Sequence, residues 1–296
     1  MSLLYLLLLF VFGAIVGSFV NVVAWRYKPG SSVFSLKKLS GRSRCPYCSK
    51  QLSWIELVPF VSFAVQGRKC RTCKHRLSWQ YPLVEFLSGS IFVVVPWFLY
   101  RFYNAQHIWI DPRFFWGLVT FWVLVFLIWL LITIIDIRHY LVPNGLNVAL
   151  GVIGVLIAVS KNAIVDMILP FHNSFLRQYQ LILSPSQDVW FNHITGAVVG
   201  GLFFTGLILL GRGRAMGWGD AKLAVASGLV IGWPEMGLSI LLAFVIGGAF
   251  ASVLLVLKKK SMKDKLPFAP FLISGFVISI FFGASIIQWY LGLFGV

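Results

Sequence analysis

The sequence predicts an all-α polytopic membrane protein of about eight transmembrane helices, with a small zinc-ribbon-like cytosolic insertion between helices 1 and 2. Three observations carry that reading. A hydrophobic fraction of 59%, a charged fraction of 11% and a mean hydropathy of +0.87 lie far outside the range of soluble domains. Apolar runs of about 20 residues recur along the chain, the length a helix needs to cross the hydrocarbon layer. Only one water-exposed segment, residues 25–82, is long enough to fold by itself, and it holds all four cysteines.

In chain order, spans are expected near 2–24, 83–100, 114–135, 145–160, 191–211, 221–233, 236–257 and 268–293, the sixth too short to cross unaided. Placing segments 25–82, 136–144, 212–222 and 258–267 on one side gathers there every Lys and Arg except Arg101, Arg113, Lys161 and Arg177. By the positive-inside rule that side is the cytosol. The first run has no basic residue before it and Arg26 and Lys28 just after it, the reverse of a secretory signal. It is therefore expected to stay as a helix with its N-terminus outside. The net charge of +16 then follows from topology and from attraction to anionic lipid headgroups, and no nucleic acid is needed to explain it.

Residues 161–190 on the outer side, with Asp166, His172, Pro185 and Asp188, show no ligand-like spacing and read as a linker or a short amphipathic piece. Pro96, Pro170 and Pro234 are expected at or near helix ends, because proline lacks the N–H a helix interior uses. Gly13 with Gly17, Gly196 with Gly200 and Gly228 with Gly232 suit close packing of helices within the chain. No internal repeat is convincing.

The insertion carries Cys45-Pro46-Tyr47-Cys48 and Cys70-Arg71-Thr72-Cys73. Two such pairs about 20 residues apart bring four thiolates to one tetrahedral centre, the geometry of structural zinc, and so small a segment needs a staple. Two disulfides or four idle thiols are the alternatives, and a reducing cytosol argues against the first. His75 reads as solvated.

Asp136 and Asp220 both lie where predicted helices meet the cytosol, in a chain with only nine acidic residues. A carboxylate at bilayer depth costs roughly 2.5–3.5 kcal/mol on insertion scales, so such placement points to use of the charge. Two carboxylates sharing a proton can split water, the ionised one taking a proton while the other polarises a carbonyl. Gly217 and Gly219 would let an extended substrate backbone come close. Alternatives are a helix-end role for each acid, with Asp136 paired to Arg138 and Asp220 capping the next helix, or a proton relay in an ion-coupled transporter.

Five ordered segments decide among these. They are Gly17 to Arg26; Ser43 to Cys48 with Leu52-Ser53-Trp54, Gly67 to Cys73 and Leu77 to Glu85; Asp136 to Asn144; Gly217 to Lys222; and Lys265 to Leu272. Over residues 17–272 the chain resembles the type IV prepilin peptidases, intramembrane aspartyl proteases with a Gly-x-Gly-Asp motif. Many relatives carry Pro-Asp where this chain has Pro143-Asn144, and a number carry Arg where it has Gln80.

The resemblance implies a bacterial inner-membrane, multi-pass enzyme with its active site facing the cytosol, working in type IV pilus assembly or type II secretion. Asp136 and Asp220 would be catalytic, with residues 1–24 the first transmembrane helix, 25–82 the cytosolic four-cysteine domain and 83–296 the transmembrane aspartyl protease domain. It further implies removal of the leader peptide of prepilins or pseudopilins and N-methylation of the new N-terminus from S-adenosylmethionine, tied to the cysteine domain. The chain has no Gly-rich nucleotide loop. A basic face would repel a basic leader at long range, so recognition is expected to be local, with Glu85 a candidate contact. A non-catalytic assembly factor is a further alternative.

Overall fold

A computed structural model describes residues 3–33, 41–45, 47–105, 111–163, 174–213, 216–261 and 264–295. Pro46, Asp166, Pro170 and His172 lie outside the described residues. Ten α-helices are described: α1 (Leu3–Arg26), α2 (Val61–Val65), α3 (Gln80–Asn104), α4 (Pro112–His139), α5 (Asn144–Asn162), α6 (Gln180–Leu183), α7 (Val189–Leu210), α8 (Trp218–Ile231), α9 (Glu235–Val256) and α10 (Ala269–Gly292). Seven of them, α1, α3, α4, α5, α7, α9 and α10, are long and apolar enough to cross a membrane. The expected sixth span is α8, whose 14 residues reach only about 21 Å and fall short of a bilayer's hydrocarbon thickness.

The chain divides into two compact units, residues 1–101 with 122–131, and residues 102–121 with 132–296. In the first, α1 and α3 run antiparallel with glycine at the contact. A Cβ added to Gly13 would lie 2.9 Å from the Gly89 Cα, and one added to Gly17 would lie 2.9 Å from the Glu85 Cα. Pro96 lies inside α3, eight residues before its end, rather than at a terminus. Proline is tolerated within membrane helices, where neighbouring groups can satisfy the freed carbonyl.

In the second unit α8 packs against α5 and α7, and α9 against α10. Gly196 and Gly228 meet so closely that a Cβ on Gly196 would stand 2.6 Å from the Gly228 carbonyl oxygen. Close packing within the chain is thus what all three glycine pairs provide. Asp188 caps α7, its Oδ1 accepting the Phe191 N–H at 2.6 Å, and Pro234 occupies the N-cap of α9. Between α5 and α7 the described residues hold one short 3-10 turn (Arg177–Tyr179) and α6.

Candidate functional site

Asp136 occupies the last turn of α4. That helix stops because Tyr140 turns left-handed, φ 54°, and returns its N–H to the Asp136 carbonyl at 2.8 Å. Val142 and Pro143 then lead directly into α5. The Asp136 side chain is 4% exposed, and its Oδ2 accepts the Ala269 N–H at the start of α10 at 3.2 Å. The segment before the last helix thus reaches the first aspartate through a free amide of a helix N-terminus.

Asp220 stands in the first turn of α8 and is half-buried. It is near enough to Asp136 for the two charges to interact, and burial, then that charge, raise its carboxyl to about 7. Gly219 is pressed on Val142, with only 3.2 Å between an added Cβ and the valine Cβ, so the loop after α4 lies on the Gly-x-Gly-Asp turn. Gly217 is different: an added Cβ would meet nothing nearer than the Asp220 Oδ2 at 3.8 Å, which leaves its outer face open. Lys222 Nζ donates to Asn144 Oδ1 at 3.0 Å and ties the two acidic segments together.

The cysteines form a second constellation. All four Sγ atoms lie within 4.8 Å of one another, Cys45 to Cys73 at 3.9 Å and Cys48 to Cys70 at 4.0 Å. Tetrahedral zinc with Zn–S of about 2.3 Å spaces its sulfurs about 3.8 Å apart, so the donor set and its spacing fit that ion. The Cys73 and Thr72 amides lower the Cys70 thiol to about 6, whereas, against the His75 amide, burial and the neighbouring thiols raise that of Cys73 to about 11.

The two knuckles are copies of one another, a repeat that the sequence pattern alone did not make convincing. Arg44 bridges Gln51 as Lys69 bridges Arg76. Cys45 N–H bonds Lys50 O as Cys70 N–H bonds His75 O, and Leu52 N–H bonds Ser43 O as Leu77 N–H bonds Arg68 O. Ser49 and Lys74 both adopt positive φ. Each copy closes on Leu-Ser-Trp. His75 is exposed, as expected, and its ring also stacks on Tyr47 with centroids 3.4 Å apart.

Two family models match the chain in order: the Bacterial Peptidase A24 N-terminal domain over residues 11–99, which holds the cysteines, and the Type IV leader peptidase family over residues 122–252, which holds both aspartates. The chain belongs to the type IV leader peptidase family. Its relatives include proteins named prepilin leader peptidase/N-methyltransferase. That of Bacillus subtilis is 29% identical over 96% of this chain and 97% of its own length, and that of Legionella pneumophila is 26% identical over 95% and 92%. That of Myxococcus xanthus is 34% identical over 52% of this chain and 41% of its own length. No solved structure matches.

As a member of the leader peptidase family, the chain shows two site groups that spacing did not expose. Ala269 serves Asp136 through its backbone, which leaves no side-chain signature. Asn144 joins the two acidic segments by accepting the Lys222 bond, a partner 78 residues away that local spacing does not reveal. Glu85 does not face open water: it is buried and accepts the Phe60 N–H at 3.0 Å.

A cavity of about 580 Å³ opens beside it in the first unit, walled by Asn21, Trp25, Glu56, Phe63, Tyr81 and Glu85 among others.

Proposed function

We propose that this protein is an aspartic endopeptidase of the bacterial inner membrane that cuts the leader from type IV prepilins or pseudopilins at the cytosolic face, and that it also methylates the new N-terminus. The observation that carries the reading is the approach of Asp136 and Asp220, in a chain collinear over 96% of its length with a prepilin leader peptidase/N-methyltransferase. Asp220, holding its proton up to about pH 7, donates toward the scissile carbonyl oxygen. Asp136, oriented by Ala269, takes a proton from the attacking water. The oxygen of that water bonds the carbonyl carbon, the C–N bond breaks, and the amine leaves with the proton Asp136 acquired. Gly217 offers open backbone for the substrate strand. A proton relay for transport is the weaker reading, because relatives matching along the whole chain are named peptidases.

Cys45, Cys48, Cys70 and Cys73 are proposed to hold one zinc ion as a structural staple. The cavity beside Glu85 suits S-adenosylmethionine in volume and chemistry: Trp25, Tyr81 and Phe63 line it for a purine, Glu56 and Glu85 for the sulfonium, and Arg26, Arg42 and Arg44 for the carboxylate of the amino-acid end. The bound cofactor would supply an electrophilic methyl group, and these residues would orient it and exclude water. Mass spectrometry of a co-expressed prepilin tests both activities together. Loss of the leader with one added methyl is expected, and an intact leader would refute the peptidase reading. Orientation is tested at Gly213→Cys, expected to react with an impermeant thiol reagent only from the cytosolic side.

A further inference from the structure

The two knuckles differ in the chain that leaves each of them. After Trp79 it runs directly into the membrane helix α3. After Trp54, at the same place in the other copy, comes Ile-Glu-Leu-Val-Pro-Phe-Val-Ser-Phe-Ala-Val-Gln, as apolar as the start of a span and without Lys or Arg up to Arg68, but far too short to cross. We propose that residues 54–66 enter the bilayer leaflet on the insertion's side and turn back, with lipid acyl chains as the partner of their outer face.

Depth is the first argument. Phe60 donates its N–H to Glu85, which lies five residues inside α3, about 7 Å below the start of that helix. Its ring stacks on Phe10 with centroids 6.0 Å apart, and Phe10 lies against Gly89, nine residues inside α3, about 13 Å along that helix. A segment solvated in the cytosol would not reach those levels.

Surface is the second argument. Trp54 is 76% exposed and Val65 66% exposed, with Ile55 and Val61 also exposed, whereas Ser62, Phe63 and Gln66 line the cavity. α2 therefore sends Val61 and Val65, four residues apart, to one side and Ser62 and Phe63 to the cavity. Leu83, Phe86 and Leu87 near the start of α3 are exposed as well, as a lipid-facing surface at this level requires.

Backbone satisfaction is the third argument, since chain in lipid must pair its own polar groups. Ser62, Ala64 and Gln66 N–H groups bond the Val58, Phe60 and Ser62 carbonyls, Ser53 N–H bonds the Glu56 carboxylate, and Phe60, strained at φ 59°, gives its amide to the buried Glu85. The return turn falls at Gly67 and Arg68, both at positive φ, and there Arg68 lies 4.7 Å over the Trp79 ring, an Arg–Trp pair of the kind that marks the headgroup level. On this reading Glu85 is a positioning residue that holds the dip in place.

The test uses the full chain in nanodiscs, with a fluorescent amino acid placed by codon suppression at Val65 and, in a separate protein, at Lys50. Lipids brominated on their acyl chains are expected to quench most of the emission at 65 and little at 50, while aqueous iodide does the reverse. Iodide quenching at 65 equal to that at 50, or no quenching at 65 by either agent, overturns the proposal. Should the Val65 protein be polydisperse, the same measurement at Val61 replaces it.

Discussion

In the insertion, four sulfur atoms are brought together by two copies of one short turn, each closed by its own backbone bonds. In the helical unit, two carboxylates meet because α4, α8 and α10 converge, with Gly196 and Gly228 letting α7 and α8 touch and Ala269 arriving from more than a hundred residues away. The first site is local and has little apolar core around it, so the proposed metal ligands would also be its scaffold. The second rests on packed helices that do not depend on the carboxylates. Loss of a ligand should therefore unfold the first site, whereas loss of a catalytic atom should leave the second intact and silent.

The largest separation is expected from metal removal. Chelation, or Cys70→Ser, should strip about one zinc per chain and open residues 41–79 to limited proteolysis. Methyl transfer should be lost while leader removal continues. Elemental analysis finding no thiophilic metal, or equal loss of both activities, would break the contrast between the sites.

A pH series sharpens it from the other side. Because Asp220 holds its proton only up to about 7, leader removal should decline above that pH, by about tenfold per unit once the shared proton is gone. A rate independent of pH between 6 and 9 would contradict the proton assignment. Packing substitutions rank next. Gly228→Ala drives a methyl into the Gly196 backbone and is expected to cost about 1–3 kcal/mol, read as a lower Tm. Gly217→Ala meets nothing within 3.8 Å, so it should leave Tm unchanged and raise KM for prepilin. Lys222→Met loses one exposed bond to Asn144 and should change stability by less than about 1 kcal/mol, measured by the same melt.

Much of this architecture can be read in the sequence because it depends on composition and local spacing. The seven long helices follow from apolar runs, the sulfur cluster from paired Cys-x2-Cys, and the close helix contacts from glycines four apart. The aspartates stand out because charge is rare here. What escapes the sequence is carried by backbone or by distant partners. Ala269 reaches Asp136 through an amide, and Glu235 accepts from Ser174 Oγ and Phe175 N–H, each at 2.7 Å, some sixty residues earlier. The knuckle repeat spans only eleven residues, marked in the sequence by Cys-x2-Cys and then Leu-Ser-Trp in each copy, and its backbone bonds recur one for one. Pro96 misleads because the helix-breaking rule belongs to water more than to lipid.

The central claim, that Asp136 and Asp220 share the proton that cuts the leader, is tested most directly by comparing Asp136→Asn, Asp220→Asn and Asp264→Asn in one assay of initial cleavage rate on purified prepilin. Asp264 is exposed and accepts the Ser261 N–H of its own turn. The two dyad variants should lose about 10²-fold or more in rate with an unchanged melting curve, and the Asp264 variant should match the unaltered enzyme. Near-normal cleavage by either Asp136→Asn or Asp220→Asn would contradict the claim.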